Sequence, residues 1–193
     1  MFSDLITSQS RIKLLNVFFQ TPFEMFHVRE LVRRTNDEIN AVRRELAFLE
    51  KHGILTKEQR ANRVYYMLDK NYPFYFDLLR IGAKSVGLGA QILKNRVKLG
   101  KIKYAYLSGK FVRNLPKGEN DVDLLLVGTV VLPEIALIVR NEEARTGTEV
   151  NYTVMTEEEF SLRKTRNDPF IKQALYNSRI MLIGDEEALL NEK

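Results

Sequence analysis

The stretch INAVRRELAFLEKHGILTKEQRANRVYYML, residues 39–68, changes its period part-way, and that change restricts the fold more than any other feature. Ile39, Val42, Leu46 and Leu49 recur at spacings of 3, 4 and 3, the apolar stripe of an amphipathic helix. Gly53 then suits the left-handed turn that closes a helix. ILTKEQ and RVYYML read as two strands joined by a basic tip, Arg60-Ala61-Asn62-Arg63. A helix running into a hairpin needs partners for its stripe, and the preceding residues supply them. Residues 8–20 put Ile12, Leu15, Val17, Phe18 and Phe19 on one broad helical face, and Thr21-Pro22 stops that helix. Residues 24–27 suit a short strand, and residues 28–34 a helix with Val28, Leu31 and Val32 inward. Thr35-Asn36-Asp37-Glu38 has the form of a capping box, with Thr35 accepting from the N–H three residues on and Glu38 reaching back.

The order is helix, short strand, helix, helix, hairpin. Over residues 10–70, and most closely at LAFLEKHGIL, the chain resembles the ArsR/MarR-like winged helix-turn-helix families. The resemblance implies a DNA-binding domain at 1–70 whose third helix enters the major groove. With 39, 42, 46 and 49 inward, Asp37, Asn40, Arg44, Ala47 and Lys51 point outward, with Arg43 at the flank. Asn and Arg are the side chains that read adenine and guanine edges. Asn40, Arg43, Arg44 and Lys51 are therefore the expected DNA-facing residues, with Arg60 and Arg63 of the hairpin holding phosphates. Phe48 also projects outward, where later helices or a second subunit would cover it. The charge agrees. Residues 1–100 carry 17 Lys and Arg against 10 Asp and Glu, whereas residues 101–193 carry 13 against 15. A basic front half fits double-stranded DNA as partner. Winged-helix repressors commonly bind as dimers. A homodimer is expected through the apolar first helix and the connector, its recognition helices about one DNA turn apart.

Residues 71–100 read as a helical connector in two pieces, with Gly82, Gly87 and Gly89 marking a bend or close helix packing. Beyond it, strands at 102–107, 122–127, 149–155 and 179–183 alternate with helices at 109–114, 133–145 and 157–176. That alternation makes residues 101–193 an α/β domain with a mixed sheet, and the whole chain α/β in class (α+β overall).

Within this domain, YLSGKFVRNLPKGENDVDLLLVG (106–128) holds Asp121 and Asp123 two residues apart, about a dozen after a Ser108-Gly109 turn. Asp-x-Asp on a strand places both carboxylates on one side. Such a pair can hold two Mg²⁺ ions that bridge nucleotide phosphates. Gly109, Phe111, Arg113, Asp121, Asp123 and LLLVG together resemble the nucleotidyltransferase superfamily of the DNA polymerase β type, in particular its small MNT-like domains. The resemblance covers about 101–193. It implies Asp121 and Asp123 as metal ligands and catalytic carboxylates, Gly109, Lys110 and Arg113 as phosphate-binding residues, and Mg²⁺ and a nucleotide as cofactors.

Two departures mark the site as degenerate. Lys110 stands where the family has a serine, and Asn151 stands where it has a third aspartate. Glu149, two residues earlier on the same face, is the candidate substitute. A neutral Asn cannot act as a general base. The expected function is a DNA-binding transcription regulator with a nucleotidyltransferase-like domain, weakly active or inactive, that senses a ligand or mediates assembly. The alternative is an active Mg²⁺-dependent enzyme transferring NMP to a protein, nucleic acid or small molecule.

There are no cysteines and two histidines, which excludes disulfides and thiolate zinc sites. No apolar run approaches the ~20 residues of a membrane span, and the first residues lack a signal-peptide pattern. A cytoplasmic location away from membranes is expected.

Overall fold

The computed structural model describes residues 6–118 and 121–191. The chain divides into two compact units, Met1–Val86 and Gly87–Lys193, each mixed in helix and sheet.

In the first unit, α1 (Gln9–Gln20) is capped by the Ser8 hydroxyl, which accepts from the Arg11 N–H. A two-residue strand β1 (Phe26–His27) leads into α2 (Val28–Thr35) and α3 (Ile39–Lys51). The hairpin follows as β2 (Leu55–Arg60) and β3 (Arg63–Leu68). The antiparallel sheet runs β1-β3-β2, with Leu55 opposite Leu68 and Arg60 opposite Arg63 across the tip. Phe18, Leu31, Val42, Leu46 and Leu49 are buried in one core with Leu55 and Leu68. The stripe read from spacing therefore faces inward, apart from a half-buried Ile39. Helix α4 (Tyr75–Ser85) completes this unit. A Cβ on Gly82 would lie 2.6 Å from the Phe19 ring. Only a residue without a side chain lets α1 and α4 approach so closely.

Two expectations need correction here. Thr35 does not cap α3. Its hydroxyl donates to the Leu31 carbonyl inside α2 (2.8 Å), and the N-cap of α3 is Glu38, with no side-chain hydrogen bond. The chain closes α2 first: Asn36 takes the left-handed conformation (φ 52°) that terminates a helix. Nor does 71–100 stand apart as a connector. Helix α4 packs into the first unit, and α5 (Gly87–Lys94) belongs to the second. The break falls at extended Val86 and at Gly87, whose φ of +62° suits glycine.

The second unit is built on a four-stranded sheet in the order β6-β5-β4-β7. Its elements are β4 (Gly100–Ser108), α6 (Gly109–Val112), β5 (Leu124–Val130), α7 (Leu132–Thr146), β6 (Tyr152–Met155), α8 (Glu157–Thr165), α9 (Pro169–Tyr176), β7 (Arg179–Ile183) and α10 (Glu186–Asn191). Strand β4 is antiparallel to β5 and β7, while β5 and β6 run parallel through the α7 crossover, so the sheet is mixed. Leu124 to Val127 are all buried. Both faces of β5 are covered, which explains its unbroken apolar run. On one face Tyr104, Tyr106, Leu125, Val127 and Met155 form a core with Phe160, Ile171 and Leu189. Strands β5 and β6 begin later than their apolar runs suggest, at Leu124 and Tyr152. Asp121, Asp123, Glu149 and Asn151 all lie in the chain entering those strands.

Candidate functional site

The polar face of α3 is the first candidate. Asn40, Arg43, Arg44 and Lys51 are exposed, as are Arg60 and Arg63 at the hairpin tip. The side chains of Arg43, Arg44, Lys51 and Arg63 make no hydrogen bond or ion pair among the described residues. Arg60 pairs with Glu58 at 2.8 Å, both side chains about half exposed. An exposed pair of this kind contributes little and leaves the guanidinium available.

What sequence reading did not find is how α3 is held. Asp37 is not a free outward group: its carboxylate accepts from Lys13 at 2.6 Å. Glu45, beside the apolar stripe, is only 6% exposed. It accepts from the Ser8 hydroxyl at 2.7 Å and from Arg11 Nε at 2.8 Å. Two polar ties thus fix α3 against α1. Burial pushes the Glu45 carboxyl up, but the Ser8 and Arg11 hydrogen bonds outweigh it and hold the group below its ordinary range. Phe48 stays 38% exposed, and what covers it within the chain is contributed by α1 and by its own helix end. The Arg11 guanidinium sits 3.6 Å from its ring centroid, and the His52 ring packs at 4.1 Å. Arg11 serves both contacts. In the sequence Arg11 is one of two cations on α1, beside Lys13, and nothing there set it apart.

The acidic pair is the second candidate. Asp121 and Asp123 are both buried, and each has its own partners. Asp121 Oδ2 accepts from Lys110 Nζ and from the Gly118 N–H, both at 2.7 Å, while Gln173 reaches Oδ1 at 3.4 Å. The Gly118 N–H and then Lys110 hold this carboxyl below its usual range against the opposing effect of burial. Asp123 Oδ2 accepts from Lys117 Nζ at 2.5 Å and from the Asn151 N–H at 2.9 Å. Lys117 also donates to the Glu149 carbonyl at 2.6 Å. Residues 119 and 120 lie outside the described residues.

The turn expected to cradle phosphate is engaged internally. Gly109 N–H donates to the Ser178 carbonyl at 2.6 Å, and the Ser108 hydroxyl accepts from the Phe111 N–H at 3.1 Å. A Cβ on residue 109 would lie 2.1 Å from Ser178 Oγ. The glycine is therefore required by the approach of Ser178. Arg113 folds back, its Nε on the Gly109 carbonyl (2.9 Å) and its Nη2 on Ser178 Oγ (3.2 Å).

The fit of this donor set to a two-ion centre can be judged directly. Such a centre needs several oxygen donors free to face the metals. Among the described residues no three His, Cys, Asp or Glu side chains are grouped to hold a metal ion. Glu149 is exposed and meets the site through its backbone carbonyl. Asn151 contributes its N–H, and its Nδ2 donates to the Asp121 carbonyl at 3.4 Å. Both aspartates already carry an ammonium group. The residues present do not fit two divalent ions. Lys117, Gly118, Gln173 and Ser178, which complete this arrangement, carried no distinctive sequence signal.

No protein-family model matches the chain, and no curated protein matches it. Among solved structures, reduced HlyU from Vibrio cholerae N16961 resembles part of it, at 17% identity and a TM-score of 0.32. The match covers 52% of this chain and 86% of that one. A likeness this slight carries no argument about fold or function. No helix of the described residues is long and apolar enough to cross a membrane.

Proposed function

We propose that this protein is a DNA-binding transcription regulator whose first unit is a winged helix-turn-helix. Helix α3 reads the major groove through Asn40 and Arg44, with Arg43 and Lys51 beside them. Arg60 and Arg63 grip phosphates from the hairpin. The observation that carries this reading is the division of α3. Val42, Leu46 and Leu49 are buried, while Asn40, Arg43, Arg44 and Lys51 stand exposed on the other side. The ties from Ser8, Arg11 and Lys13 support it, because base readout needs a helix held in one orientation. The second unit is a nucleotidyltransferase-like domain that serves sensing or assembly rather than turnover. The lysine-bound carboxylates support that part. A homodimer completes the proposal. The apolar face of α1 is spent within its own unit, which leaves the exposed Phe74 and Phe76 at the start of α4 as contact residues.

Selection of bound duplexes from a randomised pool tests the reading. An enriched motif is expected, with Arg44→Ala relaxing one position at a cost of about 1–3 kcal/mol. Absence of any enriched sequence would sink base readout. Light scattering giving a monomer with and without DNA would remove the dimer. Robust Mg²⁺-dependent NMP transfer by the unmodified chain, lost in Asp121→Asn, would make the second unit an enzyme.

A further inference from the structure

We infer that the ammonium groups of Lys110 and Lys117 are the resident counter-ions of the Asp121–Asp123 pair: the centre is closed by its own side chains and accepts a divalent cation only once those lysines are removed. The inference rests on the second unit's geometry and is independent of DNA binding by the first.

Charge balance is the first argument. Two carboxylates and two ammonium groups sum to zero, with Lys–Asp distances of 2.7 and 2.5 Å. Adding a divalent ion while the lysines stay would leave two uncompensated positive charges beside carboxylates that are almost wholly removed from solvent. Burying unpaired charge is strongly unfavourable. Removing both lysines leaves two negative charges, which one divalent ion neutralises.

The second argument is donor geometry. On each aspartate, Oδ2 accepts both an ammonium group and a backbone N–H, from Gly118 at Asp121 and from Asn151 at Asp123. An ion approaching either oxygen must displace the ammonium. No third acidic side chain is grouped with them among the described residues to offset that loss.

The third argument is what the lysines join. Lys110 lies on α6 and ties it to the chain entering β5. Lys117 holds both Asp123 and the Glu149 carbonyl, so it pins the turn after α6 to the chains entering β5 and β6. These are bonds of a clasp across three segments, a role that one side chain near an ion would not need. Lys117 also borders an open groove of about 460 Å³, with Pro116, Thr148 and Asn151. The groove gives an ion a way in once the side chain is shortened.

The test uses Mn²⁺ alone with the full chain, read by electron paramagnetic resonance. The unmodified protein is expected to leave the free-ion signal as in buffer. Lys110→Ala/Lys117→Ala is expected to bind one Mn²⁺ per chain, and adding Asp123→Asn to lose it again. Binding by the unmodified chain that Asp121→Asn abolishes would overturn the inference. So would a folded double-lysine variant, checked by circular dichroism, that binds no Mn²⁺. Should that variant fail to fold, amine acylation of the unmodified chain decides. Lys117 is expected to react more slowly than exposed Lys94 and Lys98, with or without Mn²⁺. Labelling of Lys117 as fast as Lys98, or accelerated by Mn²⁺, would overturn it.

Discussion

Replacing Asp123 by Asn separates a clasp from a metal centre by the sign of one number. In the structure the Asp123 carboxylate, 1% exposed, accepts from Lys117 and from the Asn151 N–H on a single oxygen. Asn keeps the shape but loses the charge, and its amide nitrogen cannot accept. Lys117 loses its counter-ion, and the hydrogen bonds that remain are to a neutral oxygen. Breaking a buried ion pair by removing one partner costs about 3–5 kcal/mol. Lys117 keeps 24% side-chain exposure and can turn partly toward water, so the low end of that range, about 3 kcal/mol, is expected. For a unit near 100 residues this lowers Tm by roughly 10–20 °C. Scanning calorimetry of the full chain should show a transition moved down by that amount, while the first unit's transition stays in place. A centre built for metal would respond oppositely without metal, because neutralising one of two repelling carboxylates relieves strain. An unchanged or raised Tm in Asp123→Asn would refute the clasp.

Gly82→Ala tests the contact between α1 and α4. Helix propensity alone favours Ala by about 1 kcal/mol, whereas a Cβ 2.6 Å from the Phe19 ring is overpacking that costs about 1–3 kcal/mol. Destabilisation is expected, and a stabilised variant by urea denaturation would contradict the packing. Acid should weaken the first unit. The folded Glu45 and Asp37 carboxyls are held below their ordinary values, so their contribution is present above those values and is lost as pH falls through the depressed ones. The first unit's Tm should therefore drop below about pH 4, and Glu45→Gln should flatten that drop. A Tm in the unmodified protein that is independent of pH from 6 to about 3 would refute the ties.

The helix-to-hairpin order and the inward face of α3 were legible in the sequence because they rest on apolar spacing, which survives without long-range information. The Thr35 expectation failed because the same residues suit the end of one helix and the start of the next, and Asn36 in its left-handed conformation settles α2 first. Glu45 was hidden because its partners lie 34 and 37 residues away, on another helix. Asp121 and Asp123 stood out as a pair, and Asn151 as a missing acid. Which cations meet them could not be read: Lys110 was legible only as a phosphate-binding candidate and Lys117 only as one lysine of a polar turn, until the fold brings both to the carboxylates. Gly109 was visible as a special position. Its reason, the approach of Ser178 from the start of β7, is a contact across nearly 70 residues.

The salt dependence of DNA affinity in the unmodified protein and in Arg63→Ala tests the central claim most directly. The Arg63 side chain is exposed and makes no hydrogen bond or ion pair among the described residues, so its truncation should leave the fold intact. The account predicts that log affinity falls linearly with log salt for the selected duplex. In Arg63→Ala all sequences should weaken alike, and the slope should shrink by about one unit. No measurable binding at low salt, or a slope that Arg63→Ala leaves unchanged, would contradict it.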